Sequence, residues 1–502
     1  MIYPAYDLLV KNIIMSENMA GAERSPRGGI MTAGAVFQRS VRSSRFGARW
    51  PMRVAGRAVH GWIRLAAIGL LVATGPLSAQ AQTAQVQTDE QRSAAKQSGG
   101  DPTLAPDLLL PPKDMAWWQD AKFGVFVHWG LYAIPAQGEW HMFNDHVPAE
   151  DYAKLAGQFH PRHYDPDQWA ALARDAGARY MVMTARHHDG FSLFDSPSSY
   201  GHYDSVHSAA GRDLIAPFVT AVRRKGLRVG IYYSPLDWRF PAYFHPKTMP
   251  DNARLFKQQT YGQVEELMRN YGRIDILWWD GGWLAHQGTD ADAAWFWEPD
   301  RLNRMVRRFQ PKVLINPRSG WQGDFDISEG ASPITGPIRP RPWEKTFSLN
   351  TRAWGYTPED KVMTPDEVIV LLVNAVVRNG NVLANVGPDP DGVIPPKQTA
   401  TLRGVGAWLR TYGRAIYGTR AGPLQPVDGV YGTTQKGGSV FVHVLHWPEG
   451  GLSLPLGGRI ASVRDLSGAK VSWQARAGGI WIAAPRGPRR SPVAILEIRR
   501  TS

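Results

Sequence analysis

From residue 113 onward the chain alternates apolar runs with amphipathic segments, and this beat constrains the fold more than any other feature. The runs "KFGVFVHWG", "ARYMVMTARHHDG", "LRVGIYYS", "IDILWWDGG", "KVLINPR" and "NVLANVGP" read as strands. Between them, "DPDQWAALARDAG", "DLIAPFVTAVRRKG", "LFKQQTYGQVEELMRNYG", "PDRLNRMVRRFQ" and "PDEVIVLLVNAVVRNG" carry helical periodicity. The strands lack strict in/out alternation. A strand needs apolar residues on both sides when helices cover both faces of its sheet, which is the parallel arrangement. Six or seven such units over residues 113–420 predict an α/β fold of the (β/α)8, TIM-like barrel type. No GxGxxG follows the first strand, which disfavours a dinucleotide fold.

The texture changes after residue 420. Residues 421–502 hold "GSVFVHVLHW", "GLSLPL", "SVRDL", "KVSWQA", "GIWIAAP" and "VAILEIRR", short strands separated by turn residues. They predict a small C-terminal antiparallel β-sandwich.

At the other end, Arg53, Arg57 and Arg64 precede an apolar run from Leu65 to Ala73, and Ser-Ala-Gln-Ala follows. These are the three parts of a secretory signal over residues 52–81, with cleavage after Ala81 and a periplasmic or extracellular product. The run is too short to span a bilayer in the mature chain. Residues 1–51 fit no such pattern and read as a start-site artefact or a disordered extension. Residues 82–112 are polar and then Pro-rich, and read as a linker. The formal charge of +13 is concentrated early: residues 1–81 hold ten Lys/Arg against three Asp/Glu. No basic stripe interleaved with aromatics marks a nucleic-acid reader. The chain has no cysteine, so it forms no disulfide.

Polar residues collect at the C-terminal ends of the expected strands, which form the active face of a barrel. They are His128-Trp129, His187-His188-Asp189, Tyr232-Tyr233, Asp280, Arg318 and Asn385. Asp280 ends "ILWWD", walled by Trp278 and Trp283, with Arg318 on the next strand to keep it charged. That suits a nucleophile or a stabiliser of an oxocarbenium-like transition state. A helix-capping aspartate is the structural alternative. Glycoside hydrolysis needs a second carboxyl group. Glu329, in a glycine-flanked loop, and Glu344, at the start of a strand, are the main candidates. Glu139 and Asp189 are further acids near the mouth. His187 and His188 are adjacent on a strand and are expected to diverge, which weakens a metal site. No GxSxG elbow supports serine hydrolysis. Twenty tryptophans offer flat apolar faces to sugar rings.

The ordered segments "WWQDAKFGVFVHWGLYAIP", "GEWH", "YMVMTARHHDGFSLFDS", "GIYYSPLDW", "IDILWWDGGW", "WEKTFSLNTRAWGY" and "NVLANVGPDPDGVIP" resemble the glycoside hydrolase family 29 α-L-fucosidases across residues 113–420. The resemblance implies exo-hydrolysis of terminal α-L-fucosides on glycans or oligosaccharides, with retention. It implies Asp280 as nucleophile and Glu329, eleven residues after Arg318, as acid/base. It implies a sugar enclosed by His128, Glu139, Trp140, His187, His188, Tyr233 (or Tyr232), Trp278, Arg318 and Trp354. Aromatic surface such as Trp354 would meet the fucose methyl. No metal or organic cofactor is implied. The chain departs from the family pattern at His141, where a tyrosine often stands. A glycosidase acting on another L-sugar, such as an α-L-galactoside, and a silent carbohydrate-binding relative are the alternatives.

Overall fold

A computed structural model describes residues 105–285, 291–318, 323–358, 361–485 and 491–501. The segment 1–51, the expected signal at 52–81 and the linker up to residue 104 lie outside the described residues. Eight strands, β1 Phe123–Val127, β2 Tyr180–Arg186, β3 Arg228–Tyr233, β4 Ile276–Trp279, β5 Leu314–Ile315, β6 Asp326–Glu329, β7 Trp343–Ser348 and β8 Gly380–Val386, form one sheet. All its pairings are parallel. The order is β5-β4-β3-β2-β1-β8-β7-β6, a curled TIM-like sheet with β5 and β6 as its two ends.

The long helices are α1 Pro112–Ala121, α2 Pro166–Asp175, α3 Ile215–Arg224, α4 Pro250–Asn270, α5 Pro299–Phe309, α6 Pro365–Val376 and α7 Pro396–Tyr412. Their starts are legible locally. Asp165 caps α2, its carboxylate accepting from the N–H groups of Asp167 and Gln168, a contact worth about 0.5–2 kcal/mol. Thr364 and Glu367 form a reciprocal capping box on α6.

Every residue of β1, β2, β4 and β8 is buried, as a sheet covered on both faces requires. The two faces carry separate cores. Phe126, Tyr180, Tyr232, Trp278 and Leu383 share an inner cluster. Val125, Met181, Tyr233, Trp279 and Phe256 belong to the outer cluster that meets the helices. Consecutive strand residues point to opposite faces, so this division sorts "YY" and "WW" into one inward and one outward ring each.

Sequence reasoning expected six or seven units. The barrel sheet has eight strands because β6 and β7 follow β5 with no helix between them among the described residues. The intervening "GASPITGPIRPRP" is rich in Gly and Pro and holds no helical period. Residues 105–112, expected to end a linker, are instead folded onto the sheet. Leu108 and Leu110 are buried, and the Leu110 N–H donates to Asp324 Oδ1 at 2.8 Å.

The C-terminal strands are antiparallel. β9 Arg420–Ala421, β10 Tyr431–Lys436, β11 Ser439–Val444, β13 Ile460–Asp465 and β16 Ala494–Arg500 form one sheet; β12 Leu452–Leu454, β14 Trp473–Arg476 and β15 Gly479–Ile482 form another. Val442 and Leu496 of the first sheet share a core with Leu454 and Ile482 of the second. Among the described residues no helix is long and apolar enough to cross a membrane.

Candidate active site

Asp280 stands just past β4, where its N–H donates to the Tyr233 carbonyl at 3.2 Å. The strand end is fixed by Asn316, beyond β5. Its amide oxygen accepts from Trp279 N–H at 2.6 Å and its amide nitrogen donates to Trp279 O at 2.8 Å. This two-point link sets the direction in which Asp280 leaves the sheet.

Three groups converge on the Asp280 carboxylate. Tyr232 donates its hydroxyl to Oδ2 at 2.7 Å. His188 Nε2 lies 3.5 Å from the same oxygen. Arg318 Nη2 lies 3.7 Å from Oδ1, and the same nitrogen is in direct contact with Glu329 Oε1. One buried guanidinium therefore bridges the two acids. Burial raises the Glu329 pKa above the ordinary carboxyl value, Arg318 opposes the rise, and Asp280 adds to it. Glu329 is the last residue of β6 rather than part of a free loop, so a strand aims its carboxyl.

The other acids have partners of their own. Glu344 faces the barrel interior, accepting from Tyr180 OH and, at 3.2 Å, from Trp278 Nε1. Burial pushes its pKa up to about 7, so it is largely protonated in mildly acidic solution. Asp189 accepts from Tyr152 OH at 3.2 Å and Phe191 N–H at 3.2 Å. Glu139 is buried and accepts from the N–H groups of Trp354 at 2.9 Å and Gly355 at 2.8 Å. It thereby anchors the segment that carries Trp354.

Around the acids the walls are imidazole and aromatic. The His128 and Trp354 rings lie 5.1 Å apart, and the Trp140 and His188 rings 5.2 Å apart. Tyr232 stacks between His187 and Trp278, at 5.6 Å and 6.0 Å. His128 Nδ1 is 2.8 Å from Asn385 Oδ1, and His188 Nδ1 is 2.6 Å from Ser234 Oγ. Burial holds the His128 pKa down at about 4 and that of His187 well below its ordinary value. Both are neutral at working pH; His128 donates its Nδ1–H to Asn385, which leaves Nε2 as an acceptor for a sugar hydroxyl.

Two expectations are corrected. Tyr233 does not face the site. It points to the helix layer, donating to Gln263 Oε1 at 2.9 Å and accepting from Arg186 Nη1 at 3.1 Å. The strand's two-residue period gives the site to Tyr232 instead. Nor do His187 and His188 diverge. Both follow the last residue of β2, and their rings lie 4.2 Å apart. Strand alternation has ended there, and Gly190 turns the chain at φ 78°, where a Cβ would strike the Asp237 carboxylate. His187, His188 and Asp280 present ligand atoms within 4.8 Å of one another, a spacing that a divalent cation could use. His141, the departure from the family pattern, pairs with Asp145 at 2.6 Å. Sequence reasoning missed Asn316 and Ser234, each the first residue past a strand end. That position was the one available signal.

The alpha-L-fucosidase family model matches residues 106–414. Tissue alpha-L-fucosidase of Mus musculus is 31% identical over 407 residues, spanning 74% of this chain and 85% of that protein. The Homo sapiens tissue enzyme is 32% identical over 373 residues, covering 67% and 77%. Among solved structures, alpha-L-fucosidase isoenzyme 1 from Paenibacillus thiaminolyticus superposes with a TM-score of 0.69 at 37% identity, covering 78% of this chain and 99% of that one. A trapped covalent intermediate of a GH29 alpha-L-fucosidase from Bacteroides thetaiotaomicron, with 2-fluoro-fucosyl fluoride, gives 0.70 at 26% identity, covering 78% and 97%. A parallel barrel-like sheet with two bridged acids at its C-terminal rim and relatives of this consistency lead to one assignment: the chain belongs to the alpha-L-fucosidase family of glycoside hydrolases, GH29.

Proposed function

We propose that this chain removes terminal α-L-fucose from fucosylated glycans or oligosaccharides with retention, by double displacement. The observation that carries the reading is the Arg318 Nη2 shared between Asp280 and Glu329. A single nitrogen in reach of both acids keeps them near one another, which supports the ~5–5.5 Å separation of a retaining pair over the ~6.5–9.5 Å of an inverting one.

In the first step an Asp280 oxygen bonds to the anomeric carbon while the bond to the aglycone oxygen breaks. Glu329 gives that oxygen its proton. In the second step Glu329, now a carboxylate, takes a proton from water. The water oxygen bonds to the anomeric carbon, and the Asp280 ester bond breaks. Fucose leaves in its original α configuration. Tyr232 and Arg318 orient and charge-stabilise the nucleophile. His128, His187, His188 and Glu139 meet hydroxyls, and Trp140, Trp278 and Trp354 supply apolar wall. Raised by burial, the Glu329 pKa is moved in the direction a general acid needs.

The Arg-rich start, apolar run and Ser-Ala-Gln-Ala of residues 52–81 support export, with the mature chain starting near Gln82. The functional reading is tested by following hydrolysis of an aryl α-L-fucoside beside the α-L-galactoside by proton NMR. Initial release of α-fucose, with the galactoside slower, supports it. Initial β-fucose contradicts it.

A further inference from the structure

Lys345 lies on β7 between Glu344 and Thr346. The β6–β7 register sets Ser328 beside Lys345 and Glu329 beside Thr346. Glu344 points into the barrel, where it meets Tyr180 and Trp278. The two-residue period therefore sends Lys345 to the opposite face of the sheet, behind the Glu329 carboxyl. It is 1% exposed. Its ammonium lies 3.4 Å from Ser328 Oγ, 3.4 Å from the Glu329 carbonyl oxygen and 3.2 Å from Ser332 Oγ.

Each of these partners is neutral, and among the described residues no carboxylate forms an ion pair with Lys345. A buried ammonium without a counter-ion is costly, and a methionine would fill the same space. The three donors are nonetheless spread over Ser328, Glu329 and Ser332, on both sides of the Glu329 carboxyl in the chain. This strand needs fastening. β6 has four residues and ends the sheet, with β7 its one paired neighbour among the described residues.

We propose that Lys345 is a positioning residue for the acid/base carboxyl, pinning the Glu329 carbonyl and the serines on either side from behind the sheet. This rests on the reading of Glu329 as the acid/base. The lysine also acts through its charge. The charged groups that face Glu329 are Arg318 from beyond β5, Asp280 from the end of β4 and Lys345 from β7; Lys345 and Arg318 both hold the Glu329 pKa down against burial. Lys345 itself is brought down to about 8 by burial and by Arg339, with Glu329 opposing.

The test uses the full chain with Lys345→Met and Lys345→Arg, a thermal melt, and the pH dependence of kcat/KM on aryl fucosides with good and poor leaving groups. An acid must be protonated to act, so activity falls as pH rises through its pKa. Removing the positive charge raises that pKa. Lys345→Met is expected to move the alkaline limb up by ~0.5–1 pH unit. It should also slow poor leaving groups about tenfold relative to good ones. Lys345→Arg should bring the limb back toward wild type. A purely structural lysine would lower the melting temperature and leave the limb in place. If Lys345→Met does not accumulate, the Ser328→Ala, Ser332→Ala pair removes two acceptors and keeps the charge. It should slow poor leaving groups without moving the limb. Glu329→Ala serves as the control on the underlying reading. If Glu329→Ala keeps wild-type rates on poor leaving groups, the acid/base reading and the lysine proposal both fall. If Glu329→Ala is crippled on them while a folded Lys345→Met keeps the wild-type limb and leaving-group dependence, or the serine pair keeps wild-type rates, the lysine proposal alone is overturned.

Discussion

The Tyr232 hydroxyl donates to Asp280 Oδ2 at 2.7 Å, while Tyr233, the next residue, turns its hydroxyl to Gln263 in the helix layer. The two tyrosines should therefore fail differently. Tyr232→Phe loosens the nucleophile and is expected to lower kcat/KM on aryl fucosides about 10- to 100-fold with little change in melting temperature. Tyr233→Phe leaves buried Gln263 and Arg186 short of a partner, at about 1–3 kcal/mol of stability, with near-normal kinetics. Kinetics and denaturation on both variants check this, and the reverse pattern contradicts it.

Asn316 should behave as a strut for the site. Its side chain closes both backbone groups of Trp279. Asn316→Ala is expected to cost about 1–3 kcal/mol in urea unfolding. It should also lower kcat, because Asp280 is the next residue. An unchanged kcat in the folded variant would show that Trp279 does not set the carboxylate's direction.

Glu344 gives a signed pH effect. Burial places its folded pKa at about 7, above the ordinary carboxyl value of ~4.3. Such a raised group contributes stability that is complete below the unfolded pKa and lost as pH rises through the folded one. Between about pH 4.5 and 7 its contribution falls by up to ~1.4 kcal/mol per pH unit. Glu344→Gln should flatten the fall of melting temperature over that window and retain turnover of poor leaving groups. A pH profile of melting identical to wild type would refute the buried protonated acid.

His128 carries the opposite sign. Its folded pKa of about 4 lies below the unfolded value of ~6.5. The stability this group contributes is present above pH ~6.5 and is lost as pH falls toward about 4. A proton–nitrogen NMR titration should find its ring neutral at pH 5. A protonated ring there would contradict the assignment of neutral imidazoles to the sugar hydroxyls.

Much of this was legible in the sequence because the signals were local or periodic. The beat from "KFGVFVHWG" to "NVLANVGP" carries strand and helix lengths, and Asp165 and Thr364 carry helix starts. The end of a barrel strand is a place with a physical meaning, so His128, Asp280 and Arg318 stood out. Other features depend on partners distant in sequence. Which tyrosine faces inward depends on the register of β3 against β4, where Tyr232 pairs with Trp278. β6 is four residues with no helix flanking it among the described residues, so no period announces it, and Glu329 read as a loop residue. The paired histidines read as divergent because strand alternation was extended two residues too far, past Arg186. Lys345 carried no signal at all: its meaning comes from the strand laid beside it.

The division of labour between Asp280 and Glu329 is the claim on which everything else depends, and the stereochemistry of azide rescue tests it most directly. In Asp280→Ala, azide should enter from the face the carboxylate has vacated and restore turnover of an aryl α-L-fucoside, giving the β-fucosyl azide. In Glu329→Ala the fucosyl-enzyme still forms from an activated substrate, and azide should attack it to give the α-fucosyl azide. The account predicts those two products from those two variants. Near wild-type turnover by Asp280→Ala, or α-azide from Glu344→Ala while Glu329→Ala remains active on poor leaving groups, would contradict it.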